Sequence, residues 1–75
     1  MKSERHLHAF GAKLKELRLK KDWSQEELAA TAGLDRTYVS SCERGQRNIS
    51  LLNIYKLAGA LKVEPSVLLQ NRTEN

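Results

Sequence analysis

Between Ser24 and Gly45 the sequence sets two helix starts and two helix stops close together, and no other stretch restricts the fold as tightly. Ser24-Gln25-Glu26-Glu27 has the form of a capping box. The Ser24 hydroxyl can accept from the Glu27 amide while the Glu27 carboxylate returns to the amide of Ser24. The helix it opens is predicted to end near Ala32, with Gly33 as the left-handed residue that stops it. Leu34 alone then separates Gly33 from Asp35, a side chain suited to cap a second helix. That helix is predicted to run through Arg44, with Gly45 as its stop.

The flanking segments carry the same kind of punctuation. Leu7, Phe10, Leu14 and Leu17 are spaced three, four and three apart, one face of a helix predicted over 5–21. Gly11 lies inside it at a propensity cost of about 1 kcal/mol relative to Ala, which points to another backbone packing closely there. A basic polar loop, Gln46-Arg47-Asn48-Ile49, leads to Ser50, a cap for a fourth helix whose stripe reads Leu51, Ile54, Ala58, Leu61. Pro65 is placed to start a short fifth helix through Leu69, followed by a polar, frayed tail over 70–75. Twelve Leu and seven Ala against five Val plus Ile favour helix over sheet. The expectation is an all-α, five-helix fold in one domain over 1–75, its core spanning about 5–70.

Several function classes are excluded by composition. At 75 residues and 40% hydrophobic content the chain supports one small core and no large catalytic architecture. No apolar run approaches the ~20 residues that span a membrane. Met1-Lys2-Ser3-Glu4-Arg5 does not lead into a secretory signal, so a cytoplasmic location is expected. The single Cys42 closes no intrachain disulfide, and no zinc-type Cys/His spacing exists. His6 and His8, two apart on a helix, face different sides and chelate no common metal. No Gly-rich phosphate loop and no nucleophile–base arrangement is present. An enzyme is not expected, and neither is a metal, a cofactor or a small-molecule ligand. Thirteen Lys plus Arg against nine Asp plus Glu leave a net charge of +4, compatible with an anionic partner.

Within 25–44, small Ala29 lies four residues before the Gly33 turn and β-branched Val39 six residues after it. Leu28, Ala32, Leu34, Val39 and Cys42 supply the contacts that lock the two helices together. In register, these features describe a helix-turn-helix. The chain also carries Leu14-Lys15-Glu16-Leu17-Arg18, Trp23-Ser24-Gln25-Glu26-Glu27-Leu28-Ala29, Glu43-Arg44-Gly45 and Lys56-Leu57-Ala58-Gly59-Ala60-Leu61. On these motifs, over roughly 7–69, it resembles the phage-repressor-like (Cro/C1, xenobiotic-response-element-type) helix-turn-helix family, with its lambda-repressor-like fold. Leu34-Asp35-Arg36-Thr37-Tyr38-Val39-Ser40 and the run from Glu43 to Leu51 look most like controller proteins of restriction–modification systems. That resemblance implies a small dimeric regulator that binds operators ahead of its own gene and the endonuclease gene. Stand-alone phage-type and antitoxin-type repressors share much of the motif. Cys42 departs from the larger aliphatic residue usual in the family. No sensor or self-cleaving domain is expected.

Site residues follow from how such a motif docks, with the second helix in the major groove and its N-terminal residues nearest the bases. Arg36 is the first long donor there, its fork matched to guanine, with a solvated or phosphate-clamping arginine as the bland reading. Thr37 can meet a base edge or a thymine methyl. Ser40 and Ser41 lie a turn further on and are either close-approach contacts or inert surface. Tyr38 either reaches a base edge or phosphate from the rim, the preferred reading, or turns inward and staples the helix to the core. Gln25, beside the unpaired amides of its helix start, is suited to a phosphate, as are Arg47 and Asn48 in the loop before Ser50; Arg44 joins them or is simply solvated. The family resemblance pairs acidic Glu43 with Arg18 in a structural ion pair. Trp23 is read as packing between the first two helices, and Cys42 as a small buried hydrophobe.

A monomer of this size reads too few base pairs for useful specificity, so a homodimer on a pseudopalindromic operator of double-stranded DNA is expected. Leu52 and Tyr55, off the core stripe of the fourth helix, with Val67 and Leu68 of the fifth, are the expected dimer patch. The alternative is that Val67 and Leu68 only close the monomer core. RNA polymerase becomes a partner if the protein activates. A docking module that never reads DNA is the rival class; it would display an apolar patch where this chain places polar donors.

Overall fold

The computed structural model describes residues 3–70, and within them the chain forms five helices and no strand. They are α1 Ser3–Lys20, α2 Gln25–Ala32, α3 Arg36–Glu43, α4 Leu51–Leu61 and α5 Pro65–Leu69. The tail expected after Gln70 lies outside the described residues. Three helices open on the side chains that the sequence offers. Ser24 accepts from the Glu27 amide at 3.0 Å while the Ser24 amide donates to Glu27 at 2.7 Å, the reciprocal capping box. Asp35 accepts from the Thr37 amide at 3.2 Å, and Ser50 from the Asn53 amide at 3.2 Å. α5 opens on Pro65, whose missing N–H is no loss at a first helical position.

α1 to α4 close in a common way. Each ends in a left-handed residue, Asp22, Gly33, Gly45 and Lys62 in turn. The amide after that residue reaches back five positions: Trp23 to the Arg18 carbonyl at 3.2 Å, Leu34 to Ala29 at 2.8 Å, Gln46 to Ser41 at 3.0 Å, Val63 to Ala58 at 3.0 Å. These are Schellman caps, which satisfy carbonyls that the helix itself leaves unpaired. The backbone alone thereby fixes where each helix stops and in which direction the chain leaves it.

The core draws on every helix: Phe10 and Leu14, Leu28, Ala29 and Ala32, Val39 and Cys42, Leu57, Ala58, Ala60 and Leu61, and Leu68. Two expectations are corrected here. Leu51, assigned to the core stripe of α4, is 69% exposed; the inward stripe instead runs through half-buried Ile54 and buried Leu57, Ala58 and Leu61. The segment LLNIYKLAGAL is apolar nearly all round, so more than one stripe satisfies the helical period. Leu68, assigned to a dimer surface, is 1% exposed and closes the core where α5 packs on α1 and α4. Burying a leucine fully is worth ~1.5–3 kcal/mol, a large share of what so small a core can supply.

α1 approaches the end of α3 closely enough to need Gly11. A Cβ there would lie 2.6 Å from the Glu43 carbonyl oxygen and closer still to that of Cys42. The backbone approach expected from Gly11 is therefore present, against α3.

Candidate nucleic-acid interface

The positioning of the two motif helices starts from a polar cluster beneath them. Arg18 donates from Nε to Glu43 Oε2 at 2.7 Å and from Nη2 to Oε1 at 3.0 Å, and from Nη1 to the Trp23 carbonyl at 2.6 Å. Gln25 Nε2 donates to the same Glu43 Oε1 at 2.9 Å. The Arg18 and Glu43 side chains are 8% and 3% exposed. One carboxylate thus ties α1, the start of α2 and the end of α3 together, and the close passage at Gly11 brings them within reach. Glu43 carries its negative charge into the interior beside a cation, so it does not repel an anion at the surface.

The role expected of Gln25 is corrected in part. One of its amide donors is directed to Glu43, and the side chain is half-buried. What the start of α2 offers an incoming phosphate is the backbone amides of Gln25 and Glu26, which no intrahelical carbonyl can reach, the Glu27 amide being taken by Ser24.

Along α3 the outward residues differ in how free they are. Arg36 and Thr37 are exposed. The Thr37 hydroxyl donates to the Asp35 carboxylate. That side-chain bond, the Thr37 amide and the nearby Arg36 charge hold the Asp35 carboxyl below its usual value. The cap therefore stays anionic, with Oδ2 accepting from both the Thr37 amide and its hydroxyl. Half-buried Ser41 donates to the Thr37 carbonyl at 2.9 Å, and half-buried Ser40 accepts from Arg44 Nη1. Arg44 also donates from Nε to Gln46 Oε1 at 3.1 Å. The second pair of candidate readers is thus engaged locally, and Arg44 is a tethered side chain.

Tyr38 takes the inward course that the sequence left as the lesser reading. It is half-buried and packed against the core, and the Arg47 guanidinium stands 4.7 Å from its ring centroid. As a direct base contact it is therefore corrected: the helical position puts its ring at the seam between α3 and the loop that follows. Arg47 and Asn48 are exposed in that loop. Cys42 is fully buried. Burial pushes its thiol up, against smaller opposing effects from the Tyr38 hydroxyl and the Arg47 charge. Trp23 packs partly buried against the core, with Lys21 Nζ 5.3 Å from its ring centroid.

Away from these groups, α4 and α5 show apolar side chains to solvent. Leu52 is 65% and Tyr55 58% exposed, Val67 is half-buried, and Leu51 and Leu69 join them as residues that sequence reasoning missed. Leu51, Leu52 and Tyr55 fall three and four apart and so share a helix face. An apolar residue immediately before Leu52 was the available signal for Leu51. Among the described residues no group of His, Cys, Asp and Glu comes together that could hold a metal ion. No helix there is long and apolar enough to cross a membrane.

Comparison with known proteins gives four findings. A family model described as helix-turn-helix matches residues 14–68. Control protein C.BamHI of Bacillus amyloliquefaciens is 51% identical over 65 residues, covering 85% of this chain and 80% of that protein. Control protein C.MunI of a Mycoplasma species is 51% identical over 63 residues, covering 83% and 85%. Among solved structures, the restriction-modification controller protein C.AhdI from Aeromonas hydrophila superposes with a TM-score of 0.82 at 60% identity, covering 83% of this chain and 94% of that one.

Proposed function

The chain belongs to the helix-turn-helix family, as a DNA-binding transcriptional regulator and not an enzyme, and on that premise we propose that it is a restriction–modification controller that reads a pseudopalindromic operator as a homodimer. One observation carries the reading. Arg36, Thr37, Arg47 and Asn48 are all exposed on α3 and the loop after it, while the two acids of that segment, Asp35 and Glu43, are each bound to a partner within the fold. A row of donors whose two acids are engaged within the fold, Glu43 beside the Arg18 cation and Asp35 in its helix cap, suits a polyanion.

In the proposed complex Arg36 takes a guanine edge and Thr37 an adjacent base or thymine methyl. Ser40 and Ser41 follow where their local bonds yield. The Gln25 and Glu26 amides of α2, with the second side-chain amide proton of Gln25, take one phosphate, and Arg47, Asn48 and Arg44 take others. Phosphate contacts set register and base contacts set sequence. Two copies present their α3 helices ~34 Å apart on one face of the duplex. The dimer surface is the exposed apolar face of Leu51, Leu52 and Tyr55 on α4 together with Val67 and Leu69 on α5. The protein acts in the cytoplasm, and RNA polymerase is the further partner where it activates.

The test is selection of bound duplexes from a random pool at near-physiological salt. Enrichment of a two-fold palindrome, with Arg36→Ala losing preference at one symmetric position, is the expected result. Recovery of unselected duplexes, lost uniformly as salt rises, would leave only a basic surface and overturn the reading. In parallel, Leu52→Asp should shift sedimentation from dimer to monomer; an unchanged boundary places the interface elsewhere.

A further inference from the structure

The path of the chain from α3 to Arg47 is fixed by backbone bonds. The Gly45 and Gln46 amides close on the Cys42 and Ser41 carbonyls, each at 3.0 Å, and Gly45 turns left-handed against the backbone and ring of His8. Arg47 comes next and brings its guanidinium to 4.7 Å from the Tyr38 ring centroid. The ring is seated against the core, so it offers a fixed face. A guanidinium over an aromatic face is held by its charge, and its N–H donors stay available for a phosphate. Its rotamers are then already restricted in the free protein, which lowers the ordering cost on binding.

We propose that Tyr38 is a positioning residue for Arg47, an aromatic platform that sets the guanidinium for a DNA phosphate and does not itself read a base. This rests on the DNA-binding reading above. The platform requires the ring and not the hydroxyl, and it acts through Arg47 alone. Its effect is uniform across sequences, because a phosphate contact carries no sequence information.

The experiment measures affinity for a duplex of the enriched sequence and for a shuffled one, over a range of salt. Tyr38→Phe should bind both within twofold of wild type. Tyr38→Leu should weaken both alike, by about two- to fivefold, the scale of an exposed cation–π contact. Arg47→Ala should lower the slope of log affinity against log salt by about one, and Tyr38→Leu should add no further loss in that background. An equal loss in Tyr38→Phe, an undiminished loss in the double variant, or a loss confined to the enriched duplex would each overturn the platform. A readout that needs no variant is the ring-current shift of the Arg47 side-chain protons. An upfield shift in the free protein that persists at saturating duplex is expected; its disappearance on binding overturns the proposal. Failure of wild type to bind any duplex would instead remove the DNA-binding reading, and the platform with it.

Discussion

Glu43→Met, Arg18→Met and the two together form the sharpest probe of how this domain is held. Glu43 accepts three hydrogen bonds, two from Arg18 and one from Gln25, on a side chain only 3% exposed. Removing it leaves the Arg18 guanidinium, itself 8% exposed, with the Trp23 carbonyl as its remaining acceptor. Breaking one partner of a buried pair costs about 3–5 kcal/mol. At ~0.05–0.15 kcal/mol per residue, a domain of this length holds roughly 4–11 kcal/mol in all. Glu43→Met should therefore lower the melting temperature by roughly 12–40 °C, at about 4–8 °C per kcal/mol, leaving the protein near the edge of folding at room temperature. Arg18→Met should cost less, because Glu43 keeps Gln25. The double variant removes both desolvated charges and should be more stable than Glu43→Met alone. Urea and thermal unfolding followed by circular dichroism measure all three. Additive losses, or a Glu43→Met loss below about 1 kcal/mol as for a surface pair, would refute the argument that this carboxylate is the tie between three helices.

Gly11→Ala sets two principles against each other. Helix propensity favours Ala by about 1 kcal/mol, whereas its Cβ would meet the Cys42 and Glu43 carbonyls, backbone atoms that no rotamer change can move. A net loss of about 1–3 kcal/mol in thermal unfolding is expected. Lys62 is a non-glycine residue at φ 60°, so Lys62→Gly should raise stability by about 0.5–1 kcal/mol, read in the same melts. Fully buried Cys42, its thiol pushed up by burial, should resist a thiol reagent at neutral pH in the native protein and react promptly in denaturant; fast native labelling would contradict its place in the core. The folded Asp35 carboxyl lies below its ordinary carboxylate value, chiefly through its bond from the Thr37 hydroxyl. Its cap therefore contributes fully above that ordinary value and is lost as pH falls through the folded value. Asp35→Asn should flatten the acid limb of a stability–pH titration.

Helix starts were readable because each rests on one side chain at a known offset. Ser24, Asp35, Ser50 and Pro65 all open helices where the sequence places them. Two of the four left-handed stops were readable as glycines. Asp22 and Lys62 were not, because neither residue type marks a left-handed position as glycine does. The direction of α4 was ambiguous for a different reason: with apolar residues at 51, 52, 54, 55, 57 and 58, periodicity admits several stripes, and only contact with α2 and α5 selects one. At the interface, residue type identified the outward donors Arg36 and Arg47. It could not show that Gln25 reaches Glu43 or that Tyr38 lies beneath Arg47, since both depend on distances between separate elements.

Of the eight residues of α3, only Val39 and Cys42 are buried in the core, while Arg36 and Thr37 make no core contact. The address that such a helix would read and the adhesive that holds it are written on separate letters. If Arg36 reads a base as proposed, exchanging it would redirect the domain to another sequence without disturbing an interior contact, so new targets would be reachable one substitution at a time through folded intermediates. Thr37, Ser40 and Ser41 offer less freedom, because each is bonded to Asp35, to Arg44 or to the backbone of its own helix. Retargeting should therefore begin at the amino-terminal turn of α3.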